Sequence, residues 1–266
     1  MITWWMAISA SALAASESTQ EQARVERTLL TCRTRAQELL DEPQALLASW
    51  DHCAEEAKDR GVEAAIPLIL GERTLVELRL AHPELKAQDP LAWSLLVLKT
   101  QAARPEATLP FEEVKESWLK QVSDPSTRQN LDRVRTVTVR PASEDSDPQA
   151  QAVYDLVRRH IGDLGFKVSL PDEASAADSA IHLNLGIQSD SSVRKTSRMT
   201  FHEVEIQLQC SAPRYVRLDA EGAPLKVSGH STPTLKDQAW REAADQAAAK
   251  LAEALLRQVV QTLYAD

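Results

Sequence analysis

The chain has 266 residues, 39 acidic and 30 basic, for a formal charge of -9. That balance, with no cluster of Lys and Arg standing out, excludes a nucleic-acid partner, which needs a basic face, and disfavours an anionic membrane surface. A hydrophobic fraction of 43% supports a real core, and 5% aromatic residues beside abundant Ala and Leu point to much helix in two ordinary domains.

Met1 to Ala15 carries no charged side chain, runs apolar from Ile2 to Leu13, and ends in the triplet Ala12-Leu13-Ala14 ahead of polar Ser16. These features predict a signal peptide over residues 1–15, because signal peptidase needs small side chains in its two pockets. The apolar run is too short to span a hydrocarbon core of ~30 Å, so no transmembrane span is expected. The usual basic residue near the start is missing, and a buried N-terminal helix containing Trp4 and Trp5 is the alternative reading. The first cysteine is Cys32, far beyond the apolar run, so no lipid anchor is expected. The predicted location is periplasmic or secreted.

Residues 17–122 read as a helical domain. Ser18 with Glu21 forms a capping box for a helix running to about Leu40. Asp41 and Pro43 start a second, which ends at Gly61. A third, Val62 to Leu80, is apolar on more than one side and is expected to be the most buried. Pro90 and Pro110 then set helices over Leu91–Ala102 and Phe111–Val122. A plain bundle fits better than a tetratricopeptide-type solenoid, since no 34-residue recurrence stands out.

With a hairpin turning at Glu42-Pro43, Cys32 and Cys53 lie about ten residues on either side, at one level of the two helices. Their helical faces agree: Leu29, Cys32, Ala36 and Leu39 share one stripe, and Leu46, Trp50, Cys53 and Ala57 another. Two readings stand, a disulfide in an oxidising compartment or two buried free thiols.

Residues 123–132 are polar and read as a linker, and from residue 133 to 266 the period changes. Arg133 to Arg140 alternates as a strand. Asp147-Pro148 caps a helix striped by Val153, Leu156, Val157, Ile161 and Leu164 and ended by Gly165. Phe166, Val168 and Leu170 form a short strand. Ile181 to Ile187 alternates apolar with His182 and Asn184, and polar Ser189 to Ser197 separates it from another strand. There Val204, Ile206, Leu208 and Cys210 oppose Glu203, Glu205, Gln207 and Gln209. A hairpin is expected around Asp219-Ala220-Glu221-Gly222, between Tyr215 and Val227, and the chain closes with an Ala-rich helix from Leu235 to Leu263. The fold class is therefore α+β: an N-terminal helical bundle, then a mostly antiparallel sheet with two helices packed on one face.

The early strand and helix, the Ala177-Asp178-Ser179-Ala180-Ile181 entry, the Val216-to-Gly222 hairpin and the helix around Ala243 to Ala248 resemble a class of bacterial envelope domains. That class includes the amino-terminal domain of the Tol translocation protein, the penicillin-binding-protein activator lipoproteins and the curli-secretion lipoprotein. The resemblance covers the C-terminal half and implies an accessory or assembly module that binds other envelope components. The chain departs from the lipoproteins in lacking their anchor Cys.

Catalytic signatures are thin. Seven glycines, with Gly162 and Gly165 the only close pair, exclude phosphate-cradling loops. The six histidines are widely spaced and no Cys-x-x-Cys occurs, so no metal site and no cofactor are predicted. Ser228-Gly229-His230-Ser231 reads as a polar loop, and Cys210 as a core residue about 26 Å along its strand from His202. One surface survives as a candidate binding face: His182 and Asn184 with Glu203, Glu205 and Gln207, on the side of the sheet opposite the helices. The exposed sheet edge is a second. The predicted role is a non-catalytic exported protein binding an envelope protein or glycan. The alternatives are a hydrolase with its site between the domains and a tetratricopeptide-like scaffold.

Overall fold

The computed structural model describes the backbone of residues 3–132, 134–142, 148–169, 181–195, 199–210, 214–215, 220–221 and 223–265. Side chains are described from residue 20 onward, except at 129, 214, 215, 220 and 221. The chain forms two compact units, Met1–Val114 and Lys115–Asp266.

In the first unit, helices α1 (Thr3–Gln37) and α2 (Pro43–Asp59) make a hairpin, followed by a 3-10 turn at Glu63–Ala65 and α3 (Ile66–Ala81). The backbone is helical straight through Ser18, so the expected helix start there is absent. Gly61, at φ +63, ends α2 as foreseen: its own N–H reaches Lys58 and that of Val62 reaches Ala57, satisfying carbonyls that a regular helix end leaves open. Cys32 and Cys53 are joined in a disulfide, with Cα atoms 6.0 Å apart. Around the bridge Ala36, Leu46, Trp50, Ala57, Val62, Ala65 and Ile69 form one buried cluster.

Beyond α3 come a short α4 (Leu85–Gln88), α5 (Pro90–Ala103) and α6 (Phe111–Ser123). The Asp89 side chain caps α5 by accepting from Ala92 N–H at 2.9 Å, with Pro90 in the first turn. Buried Gln101 holds the following loop from both sides, donating to Ala107 C=O at 3.2 Å and accepting from Leu109 N–H at 2.9 Å. That loop runs against Gly71, where a Cβ would lie 1.8 Å from Thr108 O. Glu113 is the polar centre of this unit. Its carboxylate accepts from Trp93 Nε1 at 2.8 Å, Lys86 Nζ at 2.8 Å and Arg79 at 3.2 Å, tying together α3, α4, α5 and α6.

The second unit is built on a mixed sheet. Its strands are β1 (Thr136–Pro141), β2 (Lys167–Ser169), β3 (Ile181–Lys195), β4 (Thr200–Cys210), β5 (Arg214–Tyr215), β6 (Ala220–Glu221) and β7 (Leu225–Ser231). The main path runs β2-β1-β3-β4-β7, and β5 pairs with the start of β3 and with β6. Only β1 pairs in parallel, with β2 and β3; the other described pairings are antiparallel. Val137, Val139, Ile181, Leu183, Leu185, Val204, Ile206, Leu208 and Cys210 are buried on one face. Helix α8 (Pro148–Asp163) and the long α9 (Lys236–Tyr264) cover that face. Asp245 on α9 joins the two helices, contacting Arg159 at 2.6 Å and His160 Nε2 at 3.0 Å.

Further expectations need correction, among them the polar loop read at Ser228-Gly229-His230-Ser231, which is the end of strand β7. Helix α3 is not the most buried, since Leu68, Leu70, Val76 and Leu78 are only half-buried; α9 buries eleven residues, six of them alanines that allow close approach to the sheet. Ser189 to Lys195 is no separator but the second half of β3, paired residue by residue with β4, because main-chain pairing needs no apolar side chains. The hairpin around Ala220 differs too: Ala220 and Glu221 pair with Arg214 and Tyr215, whereas β7 pairs with β4. Finally, the segment read as a linker contains α7 (Pro125–Leu131), capped by Asp124, which accepts from Ser126 N–H and Thr127 N–H.

The second unit therefore begins earlier than residue 133, at Lys115. The reason is packing: Trp118 is fully buried, donates from Nε1 to Leu164 C=O at 2.9 Å, and stacks on Phe166 with ring centroids 5.5 Å apart. The cap expected at Asp147, residues 177–180 and the hairpin tip at 216–219 lie outside the described residues.

Candidate functional site

Alternation along β3 and β4 sends His182, Asn184, Glu203, Glu205 and Gln207 to the sheet face turned away from α8 and α9. The register then separates them. His182 stands beside Thr138 and Arg214, and Asn184 beside Arg140, at the β1 end of β3. Glu203 pairs with Ser192 and Glu205 with Asp190, in the far half of that strand. Asn184 and Ser192 are eight residues apart, roughly 26 Å along a strand, so the five residues share a face without forming one cluster.

What the register brings together is a smaller patch. Asp190, Glu205 and His230 form a row across β3, β4 and β7, and Gln188, Gln207 and Ser228 form the next. Ser192 Oγ donates to Glu203 at 3.1 Å, and Gln207 Nε2 donates to Glu205 at 3.1 Å. The β4 side chains of this patch are half-buried. Asp190, Ser192 and His230 escaped the sequence reading, the first two because a polar stretch suggested a loop. The signal available was the unbroken absence of Pro and Gly from Ile187 to Lys195.

The two long strand edges differ sharply. Along β7 a row of α9 side chains at four-residue intervals occupies the edge. Glu242 accepts from Ser231 Oγ, Gln246 accepts from His230 N–H at 3.4 Å, and Lys250 Nζ donates to Ser228 C=O at 2.9 Å. Gln258 adds a bond of 2.7 Å to Ala223 C=O. Helix side chains thus satisfy groups that an incoming strand would need. On β3 the position is reversed. Strand β1 ends at Pro141 beside Leu185, and Ala142 N–H donates to Leu185 C=O at 2.9 Å. Beyond that point no strand lies beside Gly186–Lys195 on this edge among the described residues.

The chemistry offered is recognition by acceptors and amides. Cys210 lies buried on the helix-covered face, and burial pushes its thiol up to about 11 despite a hydrogen bond from the Asn184 main chain. It is therefore protonated and shielded at neutral pH, the opposite of an activated nucleophile. Among the described residues no group of three or more His, Cys, Asp or Glu is placed to hold a metal ion. Among them, too, no helix is long and apolar enough to cross a membrane.

No protein-family profile and no curated protein matches this chain. Among solved structures, a candidate lipoprotein from Caulobacter crescentus CB15 aligns at 12% identity and a TM-score of 0.29, covering 50% of this chain and 91% of its own. A PelC dodecamer from Paraburkholderia phytofirmans aligns at 14% identity and a TM-score of 0.28, with the same coverage, 50% and 91%. At such scores these likenesses carry no inference about activity or partner.

Proposed function

We propose that this chain is an exported, non-catalytic accessory protein of a bacterial cell envelope, binding another envelope component, protein or glycan, through the polar face of its sheet unit. The observation that carries the reading is the contrast between the two sheet faces. One is covered by α8 and α9, while the other presents Glu203, Glu205 and Gln207 half-exposed beside Asp190 and His230. Flat arrays of carboxylates and amides suit hydrogen-bonded recognition of peptide or sugar. The Cys32–Cys53 bridge is compatible with an oxidising compartment, and the leader-like character of residues 1–15 supports export.

The test is in-cell crosslinking of the tagged full chain followed by mass spectrometry, with and without the triple substitution Glu203→Lys, Glu205→Lys, Gln207→Lys. Loss of the same crosslinked component in the triple variant, with expression and circular dichroism unchanged, is the expected result. Identical crosslinks from both chains would exclude this face as the contact. Terminal sequencing of the native protein checks export: a chain that keeps Met1 contradicts it.

A further inference from the structure

We propose that the open edge of β3 is a self-association edge, on which two copies of the chain pair antiparallel about a two-fold axis beside Ser192, setting Asp190 of each against Arg194 of the other. The proposal goes beyond the polar-face reading and does not depend on it. It begins with main-chain geometry. Leu185 C=O points to the β1 side, where Ala142 N–H meets it. In a regular strand both main-chain groups of alternate residues point the same way, so Ile187, Ser189, Ser191, Val193 and Lys195 present N–H and C=O to the edge that β1 leaves open. Gln188, Asp190, Ser192 and Arg194 instead turn theirs toward β4.

That alternation restricts how two such edges can meet. In an antiparallel pair, edge-facing residues must oppose edge-facing residues, so the dyad has to pass beside a strand residue rather than between two. Each choice has a different charge outcome. A dyad at Asp190 sets two carboxylates against each other, and one at Arg194 sets two guanidiniums face to face. A dyad at Ser191 opposes Asp190 to Ser192, and one at Val193 opposes Arg194 to Ser192. Only the dyad at Ser192 opposes Asp190 to Arg194, and symmetry makes the pair twice.

Other features agree with this register. Asp190 and Arg194 would occupy non-hydrogen-bonded positions, the closer of the two antiparallel spacings at about 4.5 Å between Cα atoms, where side-chain pairing is strongest. Both residues are exposed, and neither makes a side-chain hydrogen bond or ion pair among the described residues. Ser191 falls opposite Val193, and Ser189 opposite Lys195, so no like charges oppose each other from Ser189 to Lys195. The pairing supplies up to about eight main-chain hydrogen bonds. The contrasting β7 edge is occupied by side chains of α9.

The experiment is sedimentation velocity on the full chain from about 1 to about 100 µM, where mass action reports a self-association constant. The variants are Asp190→Arg and Arg194→Asp, each checked by circular dichroism, together with their equimolar mixture. The wild type is expected to dimerise with rising concentration, and each single reversal to weaken association by about tenfold or more. The mixture is expected to regain it. One variant then carries arginine at both positions and the other aspartate at both, so each pair across the axis is again of opposite charge. A wild type that stays monomeric throughout overturns the proposal. So does a dimer that ignores the reversals, or one that the reversals weaken and the mixture does not restore.

Discussion

Among the described glycines of the sheet unit, Gly229 is the least tolerant of an added methyl group. It is buried on β7 opposite Ile206, on the face that α9 covers, and a Cβ there would lie 1.9 Å from Ala243 O and 2.6 Å from Ala247 N. Both neighbours are helix main chain and cannot swing aside. To restore ordinary contact α9 must retreat by roughly 1.5 Å, and a radial gap of even 0.5–1 Å forfeits about a quarter to a half of each dispersion contact. The helix buries eleven side chains, so the loss spreads well beyond one residue. Overpacking costs about 1–3 kcal/mol when side chains can adjust; with a rigid helix as neighbour, Gly229→Ala belongs at or above that upper end. Reduced freedom of the unfolded chain returns only about 0.4–1 kcal/mol. The control is Gly186→Ala on β3, where the new Cβ meets Gln209 O at 3.6 Å and Ala142 Cβ at 3.9 Å, both ordinary contacts. Hydrogen exchange resolved to β4, β7 and α9 peptides, run across a urea series, reads the sheet unit separately from the helical one. Gly229→Ala is expected to lose about 3 kcal/mol of protection there, and Gly186→Ala to stay within about 0.5 kcal/mol of the parent. Equal protection in the two variants would refute the close approach of α9 to β7.

Three further outcomes are expected. Reducing Cys32–Cys53, whose partners are 21 residues apart, should lower the stability of the helical unit by about 3 kcal/mol while leaving exchange in β3, β4 and β7 unchanged. Burial raises the Glu113 carboxyl, but hydrogen bonds from Lys86 and Trp93 and the charges of Lys86 and Arg79 outweigh it, so its pKa falls below the ordinary 4.5. The stabilisation from ionised Glu113 is therefore fully present above about pH 4.5 and fades as pH falls through the lower folded value. Glu113→Gln should cost about 2 kcal/mol at pH 7 and flatten the acid limb of a thermal-melt series between pH 6 and about pH 3; an unchanged limb refutes the role given to Glu113. Iodoacetamide at pH 8 should leave Cys210 unmodified in the folded chain and label it in urea, and rapid labelling of the native protein contradicts its burial.

Local signals served well wherever one neighbour in sequence decides the outcome. Gly61 ends α2 in a left-handed turn, Pro90 opens α5, and the stripes through Cys32 and Cys53 face each other across the hairpin. The Asp124-Pro125 pair carries the same helix-start signal as Asp89-Pro90 but is hidden by its polar surroundings, which is why the sequence suggests a linker where α7 stands. The polar face illustrates the other limit. Alternation assigns Glu203, Glu205 and Gln207 correctly to the side away from the helices, yet their partners Ser192, Asp190 and Gln188 follow from a register no single strand encodes. His182 and Asn184 share that face but stand beside β1 and β5 instead.

By itself the sequence determined the periods: 3.6 through the helical half, 2 through the strands, and an apolar set for each element to bury. Those are local properties, since the backbone geometry of each element dictates which side chains share a side. The division at Lys115, the pairing of β7 with β4, the close approach of α9 to β7 at Gly229 and the unequal fate of the two edges were decided only in three dimensions. Each depends on contacts between segments far apart in the chain. Trp118 joins the sheet unit because Leu164 and Phe166 complete its pocket, and the β7 edge is occupied because a helix beginning at Lys236 brings Gln246 and Lys250 alongside it.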